Sequence, residues 1–172
     1  MQARASHDIR KALAQFATGV TVVTTRAADG TPAGLTVNSF NSVSLEPPLV
    51  LWSLAHKAQS LDAFRNCERY LIHVLAVNQL DVAKVFATRG ADKFGTTRWQ
   101  ANGAGLPLLE GCVAWFECGN RRQYDEGDHV ILVGRIDAFA ILGGAPLIFH
   151  DSRYVRRVEE APLPRALRSP WE

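Results

Sequence analysis

Gly34-Leu35-Thr36-Val37-Asn38-Ser39-Phe40-Asn41-Ser42-Val43-Ser44-Leu45-Glu46-Pro47-Pro48 reads as a strand, yet it carries an unusual load of small polar side chains. A buried hydroxyl or amide without a partner costs roughly 1–3 kcal/mol. Thr36, Asn38, Ser39, Ser42 and Ser44 must therefore face water, bond one another, or face a polar ligand. Alternation puts Thr36, Asn38 and Phe40 on one face and Val37, Ser39 and Asn41 on the other. Backbone and amide groups lined up in this way suit a planar heterocycle with donors and acceptors along one edge. They equally describe an edge strand with a polar outer face.

Upstream, Ser6 or His7-Asp8 can cap a helix with Ile9, Leu13, Phe16 and Ala17 at helical spacing, closed by Gly19. The β-branched run Val20–Thr25 is a strand, Ala28-Asp29-Gly30 a turn, and about Thr31 to Val37 its hairpin partner. Downstream, Pro47-Pro48 ends the segment, because neither proline donates to a ladder. Leu49–Leu54 is then expected as a strand buried on both faces. Ser60 is placed to cap a short helix at Leu61–Asn66. Tyr70–Val77 reads as a strand, Gln79–Ala87 as an amphipathic helix, and Thr88–Gly105 as a long surface loop. Gly111–Tyr124 and His129–Ile141 form a long hairpin around Asp125-Glu126-Gly127-Asp128, with Trp115 and Phe116 on opposite faces. Gly143-Gly144 turns the chain into a last strand, Pro146–Phe149. Short strands in hairpin order with few helices predict a mainly β fold, an antiparallel barrel rather than an α/β sandwich. One domain is expected over 1–158, followed by a tail at 159–172 punctuated by Pro162, Pro164 and Pro170.

The bulk composition narrows the function classes. A chain of 172 residues with 47% hydrophobic and 21% charged residues has the makeup of a globular domain. A net charge of +2, with basic residues scattered apart from Arg121-Arg122, Arg156-Arg157 and the tail, gives no phosphate-tracking stripe and argues against nucleic acid. No apolar run approaches the ~20 residues of a membrane helix, and Met1–Asp8 has no signal-peptide core. Cys67, Cys112 and Cys118 lack CxxC spacing, which argues against a disulfide framework or structural zinc and fits a reducing cytoplasm. Cys112 and Cys118 are read as buried, inert thiols.

Three clusters could carry chemistry. Lys57, three residues before the Ser60 cap, makes either a phosphate site, with Arg89 and Lys93 adding charge, or an ordinary solvated loop. His129 opens an otherwise apolar strand, as a satisfied structural residue or as a ligand contact at a barrel rim. The acidic residues of its turn need no functional explanation. His7, His56, His73, His129 and His150 show no metal-ligand spacing. Neither a Gly-x-Ser-x-Gly elbow, nor a Gly-x-Gly-x-x-Gly fingerprint, nor a Walker loop is present.

Thr36-Val37-Asn38-Ser39-Phe40-x-Ser42-Val43-Ser44-Leu45-x-Pro47-Pro48-Leu49-Val50, then Ser53, Lys57-x-x-Ser60 and Gly127-Asp128-His129, resemble the short-chain flavin reductases. These are the small reductase components of two-component flavin-dependent monooxygenases. Phe16–Thr24, Asp92-Lys93-Phe94, Pro146–Phe149 and Ser152-Arg153-Tyr154 extend the resemblance over about Ile9 to Val155. It implies a split β-barrel of the FMN-binding type, a homodimer, and a separate monooxygenase that receives reduced flavin. It implies FMN, with FAD as an alternative, reduced by NADH or NADPH. Carried over by motif, Thr36, Val37, Asn38 and Ser39 would meet the isoalloxazine edge. Ser53, Leu54, Lys57 and Ser60 would hold the ribityl chain and phosphate, with Arg89 and Phe94 contributing. Gly127, Asp128, His129 and Tyr154 would bind the nicotinamide nucleotide, with His129 the residue closest to the chemistry. A flavoprotein reducing a corrinoid or a quinone, and a non-catalytic flavin- or heme-binding module, stay open as alternatives.

Overall fold

The computed structural model describes residues 2–155, so the tail at 159–172 and the last residues of the expected domain lie outside them. In chain order the elements are α1 (Gln2–Leu13), β1 (Thr18–Gly19), β2 (Thr21–Arg26), β3 (Pro32–Val37), β4 (Asn41–Leu45), β5 (Pro48–Ala55) and α2 (Leu61–Asn66). They continue with β6 (Arg69–Val74), α3 (Leu80–Ala87), β7 (Trp99–Ala101), β8 (Pro107–Leu109), β9 (Ala114–Glu126), β10 (His129–Ile141), β11 (Ile148–His150) and β12 (Arg153–Val155).

Seven strands make one antiparallel sheet in the order β3-β2-β6-β9-β10-β5-β4. The sheet curls around an apolar interior in which Val50, Trp52 and Leu54 of β5 meet Val130 and Leu132 of β10, Tyr70 and Ile72 of β6, and Phe64 of α2. Trp52 packs edge-to-face on Phe64 at 5.1 Å and on Tyr70 at 5.6 Å, the preferred geometry for aromatic pairs. The two ends of the sheet, β3 and β4, are consecutive in sequence, so the short connector 38–40 crosses the gap between them. The barrel is therefore split along that line. A second core, with Val20, Val22, Leu75, Ala83, Phe86, Leu109 and Leu147, lies between the sheet and α3.

Helix α2 seals one mouth of the barrel. The inward-facing residues near the end of β9 are polar, and they bind its backbone. Asn120 Nδ2 donates to the carbonyls of Phe64 and Cys67 at 2.8 and 3.1 Å, and Gln123 Nε2 donates to that of Arg65 at 2.9 Å.

The mainly β barrel matches the sequence reading, and β10 has the expected bounds. Several local expectations are corrected. Helix α1 ends at Leu13, not near Ala17, and Gly19 lies in β1 without the left-handed conformation of a helix cap. Ser6, His7 and Asp8 fall inside α1 rather than capping it, and Ile9, Leu13 and Phe16 are exposed. Strand β5 alternates instead of burying both faces, because β4 and β10 flank it and only one side meets the interior; β2 is the strand buried on both faces, from Thr21 to Thr25. Pro48 begins β5 rather than ending a strand, and the Glu46–Pro47 bond is cis. Ser60 stands at the start of α2, but its side chain makes no capping hydrogen bond. The stretch 88–105 is not a free loop. Trp99 begins β7, which pairs with β8, and its indole donates to the Phe94 carbonyl at 3.0 Å.

Candidate functional site

A groove of about 930 Å³ lies along β3, one edge of the split. Its floor is β3 from Pro32 to Thr36, one wall is Ala55, Lys57–Ser60 and the start of α2, and the other is Phe86 to Phe94. Of the sequence-derived site residues, Thr36, Lys57, Ser60, Arg89 and Phe94 converge here from segments far apart in the chain.

Two features let the floor and walls approach so closely. Gly34 has no side chain where a Cβ would sit 2.8 Å from Phe86 and 3.0 Å from the Val23 carbonyl. Thr36 donates its hydroxyl to the Ala83 carbonyl at 2.6 Å, which fastens β3 to α3. That hydroxyl proton is already committed, so Thr36 offers the groove its backbone and methyl group.

The groove is polar at its rim and slightly electropositive. Lys57, Arg89 and Lys93 line it against two carboxylates, Asp62 and Asp92. Among the described residues none of these three cations forms an ion pair. Lys93 donates its ammonium to the Gly34 carbonyl at 2.9 Å and sits 6.0 Å from the Phe86 ring centre. Burial holds it below the ordinary lysine range. Together with the uncommitted Ser60 hydroxyl, these groups fit the phosphate of a nucleotide. The aromatic wall is built by Phe94, edge-to-face with Phe86 at 5.3 Å and Trp99 at 5.6 Å.

The remaining candidates are not among the residues that line the groove. Asn38 is exposed on the connector, while Ser39 is half-buried beneath it. Val37 is 5% exposed and belongs to the interior, so only its backbone is available to a ligand. Ser39 Oγ accepts the Ser53 N–H at 2.9 Å, which closes the seam between connector and β5. Leu54 points into the interior and can offer only backbone. The residues Asn41–Leu45, read with this stretch, form the edge strand β4, whose Ser42 is exposed and Ser44 half-buried; they lie outside the groove.

Gly127, at φ 60°, and Asp128 form the tight β9–β10 turn. His129 Nδ1 lies 2.6 Å from Asp128 Oδ1, and this contact holds the Asp128 carboxyl below its usual range. A carboxylate partner at Nδ1 fixes the proton there and leaves Nε2 as the free ring nitrogen. His129 is directly opposite Ala55, a groove-lining residue, so it stands beside the groove wall. Tyr154 is not brought together with it. It lies in the small sheet β1-β11-β12, packed on Phe149 at 5.3 Å, and burial raises its phenol.

Sequence reading missed Gly34, Phe86 and Asp62 as groove residues. A glycine inside a strand pattern was the available signal for the first. The inert-thiol reading holds for Cys118, wholly buried and pushed up to about 12, and for Cys112, buried just before β9 rather than within it. Among the described residues no cluster of three or more His, Cys, Asp or Glu side chains could hold a metal, and no helix is long and apolar enough to cross a membrane.

Comparison with known proteins gives the family. The chain is 44% identical over 151 residues to FMN reductase (NADH) SmoA of Agrobacterium fabrum, covering 88% of this chain and 86% of that one. It is 41% identical over 147 residues to the reductase component of the flavin-dependent trigonelline monooxygenase of Acinetobacter baylyi, covering 86% of this chain. It spans about half the length of that relative, 47%. The solved structure of the NADH:FAD oxidoreductase SgcE6 of Streptomyces globisporus, in complex with NAD and FAD fragments, superposes with a TM-score of 0.86 at 34% identity. That likeness covers 92% of this chain and 96% of the other. A family model described as "Flavin reductase like domain" matches residues 13–157, and the chain belongs to that family.

Proposed function

We propose that this protein is an NAD(P)H:flavin oxidoreductase that reduces FMN, or FAD, and supplies the reduced flavin to a separate monooxygenase. The observation that carries the reading is the convergence of Lys57, Ser60 and Arg89 on one groove, with His129 beside its wall. When bound, flavin supplies the hydride-accepting chemistry, and the protein has to bind, orient and exclude water. Lys57, Ser60 and Arg89 hold the phosphate. Thr36 to Ser39 present backbone groups and the Asn38 amide to the ring edge. Phe94 and Phe86 shield one wall. His129, its Nδ1 proton held by Asp128, offers Nε2 to the nicotinamide nucleotide and orients it rather than acting as a base.

A second copy of the chain is the expected partner for the exposed apolar surface. Edge strand β4 shows Val43 and Leu45, 50% and 68% exposed, and the end of β10 shows Phe139 and Ile141, 62% and 79% exposed. Light scattering on the purified protein tests this, and a monomer at micromolar concentration would count against it.

Steady-state NADH consumption with added FMN, FAD or riboflavin tests the activity. Turnover that scales with free flavin supports the reading. A tightly bound flavin without turnover favours the flavoprotein or binding-module alternatives.

A further inference from the structure

At the barrel mouth, three side chains form a cluster that the proposed chemistry does not use. Asp125, next to last in β9, accepts hydrogen bonds from His56, at 2.9 Å to Nε2, and from Arg65 of α2. Asp125 is directly opposite Val130 across the hairpin, and Val130 opposite Leu54, so its side chain projects to the α2 side of the sheet. A backbone bond reinforces the contact, since the His56 N–H donates to the Asp128 carbonyl at 2.9 Å. The Arg65 guanidinium, followed by His56, holds the Asp125 carboxyl below its usual range.

These contacts add a side-chain tie between two parts of the proposed site that the β5–β10 ladder, reaching His129 opposite Ala55, already joins through the backbone. His56 precedes Lys57, on the phosphate side of the groove. Asp125 lies three residues before Asp128 and four before His129, on the nicotinamide side. Beyond Asn120, whose N–H donates to the Glu68 carbonyl at 2.8 Å, the outer edge of β9 has no strand partner among the described residues, so the backbone of the β9 arm of the tip is held through β10 alone. Asn120 and Gln123 keep α2 docked by themselves, through its backbone. Asp125 is the side chain that ties the β9 arm of the tip to His56 and Arg65.

We infer that Asp125 is a positioning residue, which latches the hairpin tip carrying Asp128 and His129 to His56 and Arg65 and so sets the nicotinamide side of the site against its phosphate side. The kinetic consequence rests on the flavin reductase reading; the mechanical one does not.

The test pairs hydrogen exchange on the free protein with kinetics, using Asp125→Asn, Asp125→Ala and Asp125→Glu. In Asp125→Asn and Asp125→Ala, amide exchange at residue 56 and across 126–129 should accelerate, while α2 keeps its protection. The NADH KM should rise about fivefold, the scale of one lost exposed ion-pair contact, with FMN affinity within about twofold of the parent. Asp125→Glu should recover part of the KM, and His56→Gln combined with Asp125→Asn should be less than additive. Unchanged exchange at the tip would overturn the latch, whatever the activity. A parallel loss of FMN affinity and melting temperature would also overturn it, by making Asp125 a general scaffold residue. A wild-type protein that does not oxidise NADH in the presence of flavin defeats the reductase reading instead, and the exchange arm still decides the latch.

Discussion

Ser39 and Ser53 close the split in the barrel: the Ser53 N–H donates to Ser39 Oγ at 2.9 Å, and Ser39 Oγ lies 3.3 Å from the Ser53 carbonyl. One hydroxyl thus satisfies both backbone groups of a residue that β4 has ceased to cover.

Ser39→Ala leaves the Ser53 N–H without its partner. It should lower stability by about 1 kcal/mol in urea unfolding, because the site is only half-buried. Asn38→Leu with Ser39→Val should in addition weaken FMN binding, read by flavin fluorescence titration. Unaltered affinity would reduce the connector to part of an edge strand.

Lys57 and Arg89 should act on the phosphate and not on the ring. Lys57→Met or Arg89→Met is expected to cut FMN affinity about fivefold to tenfold, the range of one charge-assisted contact, and to leave riboflavin affinity within about twofold. Equal losses for both flavins would move the phosphate elsewhere.

Gly34→Ala drives a methyl group to 2.8 Å from Phe86 and 3.0 Å from a backbone carbonyl that cannot move aside. Overpacking of this kind costs typically 1–3 kcal/mol, so the urea midpoint should fall by that measure with an unchanged slope. Relief by Gly34→Ala with Phe86→Leu would identify the clash.

His73 gives the fold an acid limit. It is wholly buried, Nδ1 facing the Val22 carbonyl at 3.0 Å and Nε2 accepting the Leu109 N–H at 3.1 Å, so the neutral ring is the form that fits. Burial lowers it to about 4, against the ordinary histidine value of about 6.5 in the unfolded chain. The unfolded state therefore binds the proton first as pH falls. The stabilisation is complete above about pH 6.5 and is lost between there and about pH 4, by an amount on the order of 3 kcal/mol. Unfolding free energies measured from pH 7 to 4.5 should show that slope. A flat profile would mean that His73 takes up its proton as readily in the folded protein as in the unfolded chain.

How far the sequence could be read depended on the range of the forces involved. Period-two alternation and turn residues are local, so the bounds of β10, the Gly30 and Gly127 turns and the barrel class were legible. The fate of Gly34 to Pro48 was not. It divides into a groove floor, a seam and an exposed edge, and the division depends on contacts with Ala83 and Ser53, far along the chain. Lys57, Ser60, Arg89 and Phe94 were found by motif and do meet. Leu54 and Val37 share the motif but turn inward, because pleating gives alternate residues to the core. The Asp125 contacts carried no signal, since acidic residues at a hairpin turn look the same whether or not a helix lies beneath them.

Anaerobic rapid mixing of NADH with the protein and FMN tests the central claim most directly. The yellow flavin absorbance should bleach at a rate that saturates with NADH and scales with protein. His129→Ala should raise the NADH concentration needed for half-saturation, or slow the bleaching, while FMN binding survives. Bleaching no faster than in protein-free buffer would contradict the account.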